Sequence, residues 1–332
     1  MCCPLLGVSL PPTINNVNTL WYGMSTNNLS SRTTTDNRRL QYSPNYRNKV
    51  AVVTGSSTGI GFETALLLAR SGFHTYATMR DLEKSKNMTE IANTDNLPLG
   101  VLQLDVTDDT SVKGAIRKII AESNRIDVLV NNAGYGLFSP LEDVTLNQVR
   151  EQFETNFFGA IRVMHEVMPT MRRQRNGTIV NVSSLVGRVG LPLSSAYVAT
   201  KFALEGLSES VRYELNEFGI NIILVEPGVI KTNFLENLKT ADPTLKSESP
   251  YADLVDRTTK EFGKMMNSSS SPRIVAEAVL RAIKSKEPEF RYVVGDDAES
   301  IMKIRKDSTD KEFENWVYEN VLQKKRYIYA RE

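Results

Sequence analysis

The sequence predicts an α/β fold, a doubly wound parallel sheet with helices on both faces in a single domain, and three observations carry that prediction. A β-branched run, Lys49-Val50-Ala51-Val52-Val53-Thr54, passes through a glycine turn into an apolar-periodic stretch at 62–71, which reads as strand, turn and helix. Strand and helix patterns then alternate over 50–294, the order that builds a parallel sheet through helical crossovers. Residues 126–130, 178–182 and 221–225 are short apolar runs of the kind that strands buried on both faces require.

Composition agrees with a soluble globular protein. Of 332 residues, 41% are hydrophobic and 24% charged, enough to bury a substantial core. Forty basic residues stand against thirty-nine acidic ones, which leaves no electrostatic footprint for nucleic acid. No apolar run approaches the ~20 residues of a spanning helix, so no integral membrane segment is expected. Residues 1–45, rich in Asn, Thr, Ser and Pro, read as a disordered extension. They are not expected to be a signal peptide: the start lacks basic residues, and the apolar stretch 5–10 is short and runs into Pro11-Pro12. Met24 offers a second translation start. The two cysteines, Cys2 and Cys3, give neither a metal set nor a disulfide framework and fit a reducing, cytoplasmic compartment. With His74 and His165 as the only histidines, no His-dependent triad or zinc site can be assembled, and no metal is expected.

Taken in order, the elements place the chemistry. In Gly55-Ser56-Ser57-Thr58-Gly59-Ile60-Gly61, glycines allow a tight turn and close approach to a pyrophosphate, which the first turn of the following helix attracts through its N–H groups and dipole. The second strand, 72–79, ends at Met79-Arg80. Without a carboxylate at 79 to accept from a ribose 2′-hydroxyl, and with a guanidinium suited to a 2′-phosphate, the site is expected to prefer NADP(H) over NAD(H). The alternative is that Arg80 caps the strand and faces water, and Asp81 beside it would blunt its charge. Asp105, in Leu104-Asp105-Val106, fits either an adenine contact or an Asx turn. Tyr197 and Lys201 lie four residues apart, on one face of a helix. A fixed positive charge there favours the phenolate and lowers the Tyr197 pKa.

Four blocks, in order and spacing, resemble the short-chain dehydrogenase/reductase family in its single-domain form: Thr54 to Gly61, Asn131-Asn132-Ala133-Gly134, Ser183-Ser184, and Tyr197 with Lys201. A fifth, Pro227-Gly228-Val229-Ile230-Lys231-Thr232, resembles the segment that closes over the nicotinamide in that family. The resemblance covers 46–295 and implies a Rossmann-like fold and an oxidoreductase acting on CH–OH donors with NAD(P). It implies a tetrad of Asn156, Ser184, Tyr197 and Lys201. Ser184 would bind the substrate oxygen, Tyr197 would exchange the proton, Lys201 would hold the nicotinamide ribose and lower the Tyr197 pKa, and Asn156 would distort its helix to hold a relay water. Ser183 competes with Ser184, and the family's spacing favours Ser184. Coenzyme contacts are implied at Gly55, Ser57, Thr58, Gly59, Ile60, Gly61, Arg80, Asp105, Val106, Asn132, Ala133, Gly134, Tyr197, Lys201, Pro227, Gly228, Ile230 and Thr232. Of Asn131 and Asn132, one is expected to stabilise the sheet and the other to lie near adenine.

After the Pro-Gly segment, 231–266 reads as a substrate lid, with Phe234, Leu235, Leu238, Phe262, Met265 and Met266 among its apolar members. With Leu185, Val186 and Leu191, it favours a lipophilic alcohol or carbonyl substrate over a sugar. The C-terminal extension, 296–332, carries Trp316, Val317, Tyr318, Val321, Leu322, Tyr327 and Ile328 at partly helical spacing and is expected to pack back near the lid. Helices 146–171 and 196–218 match the family's association surface, so a homodimer or homotetramer is expected. Alternative activities on this platform are a double-bond reductase or an epimerase, and outside catalysis a dinucleotide-binding redox sensor; the intact tetrad argues against the sensor.

Overall fold

A computed structural model describes residues 46, 48–232, 239–240, 249–267 and 269–324. The extension 1–45, with Cys2 and Cys3, lies outside the described residues, as do Phe234, Leu235, Leu238, Tyr327 and Ile328.

At the centre of the sheet, β1 (Val50–Val53) pairs with β2 (His74–Met79) on one side and β4 (Val128–Asn131) on the other. Beyond β2 lies β3 (Leu99–Gln103); beyond β4 follow β5 (Gly177–Val182), β6 (Ile220–Pro227) and β7 (Arg291–Val294). All seven strands run parallel, in the order β3-β2-β1-β4-β5-β6-β7. Val53 stands opposite both Ala77 and Val130, which fixes the register beside the point where the strand order reverses.

The pleat sends successive side chains into two cores. Ala51 and Val53 pack with residues of α1 (Gly59–Arg70), α2 (Lys86–Thr94) and α8 (Pro272–Lys284); Val50 and Val52 pack with those of α3 (Asp109–Ser123), α5 (Gly159–Gln174) and α6 (Ser195–Asn216). The central strands β1 and β4 are therefore buried along their whole length, whereas the edge strands β3 and β7 are only partly buried. The expected doubly wound sheet with helices on both faces is found.

Several boundaries differ from the sequence reading, three of them with a clear physical reason. The strand expected from 72 begins at His74, because Gly72 has φ +96° and cannot continue an extended chain. The strand expected to end at Val225 runs on to Pro227, and Gly228 N still donates to Val294 O at 2.9 Å. The single helix expected over 146–171 is instead α4 (Leu146–Phe153), a π-helical turn at Glu154–Phe158, and α5. In the π turn the Asn156 Nδ2 donates to Tyr135 O at 2.9 Å and its Oδ1 accepts from Tyr135 N at 3.0 Å, anchoring the widened turn to the loop after β4.

Past β7, α9 (Asp296–Asp307) and α10 (Asp310–Asn320) pack back on the body, where Ala298, Ile301 and Phe313 are buried against Leu185 and Val189. A capping box between Thr309 and Glu312 starts α10. Within the lid region, α7 spans Ala252–Asn267. Among the described residues no helix is long and apolar enough to cross a membrane, and no group of His, Cys, Asp or Glu is placed to hold a metal ion.

Candidate active site

A cavity of ≈1080 Å³ opens at the carboxyl ends of the strands, beside the reversal of strand order, where open α/β sheets bind ligands. At its base the chain leaves β1 through Gly55 (φ +66°) and Gly59 (φ +61°), conformations that side chains resist. A Cβ on Gly55 would also come within 2.7 Å of Ala133 Cα. Thr58 makes no side-chain capping bond and the first turn of α1 carries no acidic residue, so its N–H groups and positive dipole end are left for an anion. Ser57, Thr58, Gly59 and Ile60 line this end of the cavity.

Asn132 pins the turn. Its Nδ2 donates to Thr54 O (2.9 Å) and Gly55 O (3.0 Å), and its N–H to Thr54 Oγ1 (3.0 Å). Asn131 lies inside the sheet, donating to Asn181 Oδ1 at 2.9 Å; Asn181 in turn donates to Ser208 Oγ at 2.9 Å. The division of labour differs from expectation in one respect: the Asn132 amide is committed to backbone carbonyls, although the residue still lines the cavity. Gly61 is not on the cavity wall. A side chain there would collide with Asn132 and the Gly55 carbonyl, so this glycine serves close packing of helix against turn.

Beyond β2, Arg80 is exposed on the cavity rim, its carbonyl held by Gln103 Nε2 at 3.0 Å. Asp81 turns its carboxylate to Glu83 N (3.0 Å), starting a short 3-10 turn at Leu82–Ser85 that brings Lys84 to the same rim. Asp105 Oδ1 accepts from Thr107 N (2.9 Å) and Thr107 Oγ1 (2.8 Å), the Asx-turn arrangement, at the cavity edge.

At the far end, the first turns of α6 bring Tyr197 and Lys201 to the cavity, and Ser184, just past β5, hydrogen-bonds the Tyr197 phenol. The walls strip water from that phenol and push its pKa up to about 12, with the Ser184 bond acting in the opposite direction. Lys201 Nζ donates to Val182 O at 2.8 Å and lies 5.8 Å from the Tyr197 ring centre. Burial pushes its pKa down to about 8, against an opposing pull from Glu205. Burial is the leading influence on Tyr197 and carries its pKa upward, so the lowering expected from Lys201 does not prevail among the protein's own groups. Ser183, one residue earlier, has its hydroxyl on the opposite side against Gly187. Asn156 lies behind the wall and donates to Thr200 Oγ1 at 3.2 Å, next to Lys201.

Every other expected coenzyme residue lines the cavity: Gly134, Val106, Pro227, Gly228, Ile230 and Thr232 complete the set with those named above. Leu185, Val186, Leu191, Phe262, Met265 and Met266 form an apolar wall, and Phe138 stacks on Phe262 at 5.9 Å. Within the segment expected to be a lid, Lys239 N donates to Gly136 O (3.0 Å) and its O accepts from Phe138 N (2.9 Å). Sequence reasoning missed Ile301, Ile304 and Asp297. The first two stand three apart on α9, a helical signal in hindsight, and line the cavity with Trp316 and Val321. Asp297 Oδ2 accepts from Val229 N at 2.7 Å, and a Cβ on Gly228 would collide with its carboxylate. The start of α9 thus holds the Pro-Gly segment in place.

Comparison with known proteins agrees with this geometry. The family model for short chain dehydrogenases matches residues 49–243. The chain is 37% identical over 247 residues to 3-ketodihydrosphingosine reductase of Bacteroides thetaiotaomicron, covering 74% of this chain and 88% of that one. It is 41% identical over 257 residues to retinol dehydrogenase 8 of Bos taurus, covering 73% and 80%. A solved short-chain dehydrogenase from Streptomyces avermitilis superposes with a TM-score of 0.69 at 32% identity, over 81% of this chain and 96% of that one.

Proposed function

The chain belongs to the short-chain dehydrogenase/reductase family and is an oxidoreductase acting on CH–OH donors; from that premise we propose that it transfers hydride between NADP(H) and the alcohol/carbonyl pair of a lipophilic substrate. The observation that carries the reading is the meeting of Ser184, Tyr197 and Lys201 at one end of a cavity whose other end is an uncapped helix N-terminus. Nicotinamide, when bound, supplies or takes the hydride. Ser184 donates to the substrate oxygen and orients it. Tyr197 gives that oxygen its proton in reduction and removes it in oxidation. Lys201 holds the nicotinamide ribose hydroxyls. Asn156 keeps the π turn open beside Thr200, where a water can relay protons to Lys201.

Two observations support NADP(H). Arg80 stands at the rim where the adenosine ribose would lie, and Asp81 is turned away to Glu83 N, so its carboxylate does not compete for that ribose. For the substrate, the support is the apolar wall and the names of two relatives, a 3-ketodihydrosphingosine reductase and a retinol dehydrogenase. In this reading residues 46–295 are the catalytic domain, 231–266 its lid, and α9 and α10 an added wall. The association surface is α4, α5 and α6, where Phe158, Phe202 and Tyr213 remain 47%, 45% and 69% exposed, and the assembly is a homodimer or homotetramer.

Calorimetric titration with NADPH and NADH, repeated with Arg80→Ala, tests the coenzyme. Tighter NADPH binding that falls selectively in the variant is expected; equal affinities in the wild type would defeat the preference. Panels of apolar and polar carbonyls test the substrate class, and turnover confined to sugars would overturn it.

A further inference from the structure

Behind the catalytic loop lies a buried charge cluster that the proposed mechanism leaves unused. Glu226, at the end of β6, is 0% exposed, and Glu205, one helical turn past Lys201 on α6, is 5% exposed. Arg291, which opens β7, offers one N–H to both: Nε lies 3.1 Å from Glu205 Oε2 and 3.3 Å from Glu226 Oε1. Its Nη2 meets Glu209 at 2.6 Å, and Arg188, on the loop after Ser184, reaches Glu226 at 3.4 Å. Glu205 Oε1 and Ser183 Oγ are buried without a hydrogen-bond partner among the described residues. Both converge on Gly187, where a Cβ would stand 3.3 Å and 2.6 Å from them.

Arg291 Nε is shared between two buried carboxylates and Arg188 reaches Glu226 only at the longer distance, so the two acids compete for the nearest positive charge. Glu226, fully enclosed and repelled by Glu205, has its carboxyl pushed up to about 7, so on the acid side of neutrality it carries a proton and leaves Arg291 to Glu205. Glu205, itself buried, stands at i+4 from Lys201, on the same face of α6. A buried ammonium whose recorded hydrogen bond goes to the neutral Val182 carbonyl needs a nearby counter-charge to stay ionised. The charged groups around Glu205 are Lys201 and Glu209 on its own helix, Glu226 from β6, Arg291 from β7 and Arg188 from the loop.

We propose that Glu205 is a positioning residue for the reaction, acting through Lys201 by keeping the buried ammonium charged near neutral pH. This rests on the reading of Lys201 as part of the reaction site. The test follows the lysine Cε resonances of full-length protein labelled with 13C-lysine, taking the signal lost in Lys201→Arg as that of Lys201. In Glu205→Gln the Lys201 midpoint should fall by about one pH unit or more, with Glu205→Asp between it and the wild type and Glu209→Gln unchanged. The alkaline limb of oxidation of a long-chain secondary alcohol should move down by the same interval. An unmoved Lys201 midpoint, or an equal fall in Glu209→Gln, overturns the proposal. Should Glu205→Gln not fold, Glu205→Asp carries the test alone: drawing the carboxylate back by one methylene should lower the Lys201 midpoint, and an unmoved midpoint there is fatal. The two readings fail separately. A moving midpoint with Tyr197→Phe as active as wild type defeats the proposed function alone, whereas a fixed midpoint in a Tyr197-dependent enzyme defeats only the role of Glu205.

Discussion

Tyr197 and Lys201 are each made costly to ionise by the site that holds them, and that makes both testable singly. Replacing Tyr197 by Phe keeps the ring in the wall and removes the proton. Calorimetry should show coenzyme affinity within about twofold of wild type, while turnover falls by roughly 10²- to 10⁴-fold, the range for loss of a general acid; retained turnover would remove Tyr197 from the chemistry. Lys201 gives a pH signature in stability. Its folded pKa, about 8, is below the ordinary lysine value of 10.5. Between those values the unfolded chain binds more protons than the folded one, so stability rises with pH across that window. Below about pH 8 both states are protonated and the burial cost is fully present. Lys201→Met removes this contribution. Its unfolding free energy relative to wild type should drop by about 3 kcal/mol as pH goes from 8 to 10.5. Denaturant titrations at the two ends measure it, and a pH-independent difference would mean that Lys201 is not desolvated.

Among the elements, α9 and α10 do the most that the chain's order does not announce. They close the apolar wall through Ile301, Ile304 and Trp316, and they hold the Pro-Gly segment through Asp297. Phe313, buried at 7% exposure and stacked on Trp316 at 5.7 Å, pins α10 to this cluster. Phe313→Ala should destabilise the protein by about 3 kcal/mol, the usual order for an aromatic cavity, and raise KM for an apolar carbonyl more than for NADPH. Equal KM values in variant and wild type would separate α10 from the substrate. What was legible in sequence follows from how local its cause is. β1, β4, β5 and β6 were readable because burial on both faces leaves a contiguous apolar run. The glycine turn and the Tyr197–Lys201 spacing were readable because backbone freedom and helical period act over a few residues. The distortion at Asn156 was expected only through the family resemblance and not from any local pattern, since Asn156 is held by Tyr135, 21 residues away. Asp297 was not read, since its partner Val229 is 68 residues distant. The outcome at Tyr197 was hidden for the same reason: burial by the assembled walls, absent from any local pattern, decides its pKa.

At the scale of the whole molecule, the sheet buries its two faces so completely that the remaining large apolar side chains at the surface call for an explanation. Three of them, Phe158, Phe202 and Tyr213, lie on the π turn and on α6, the stretch that also carries Tyr197 and Lys201. A partner packed there would bear directly on the helix that positions both groups. Assembly and catalysis would then be coupled through α6, because removing the partner frees the outer face of a helix whose inner face sets the Tyr197–Lys201 geometry. Phe202→Glu places a charge at the centre of that surface without touching the cavity, whose wall excludes Phe202. Light scattering should show wild type at two or four times the chain mass and the variant shifted toward the monomer. Turnover and thermal stability of the variant should fall together and recover together at high protein concentration. A wild-type monomer would remove the proposed association, and a variant that stays assembled would place the interface on another face of the molecule.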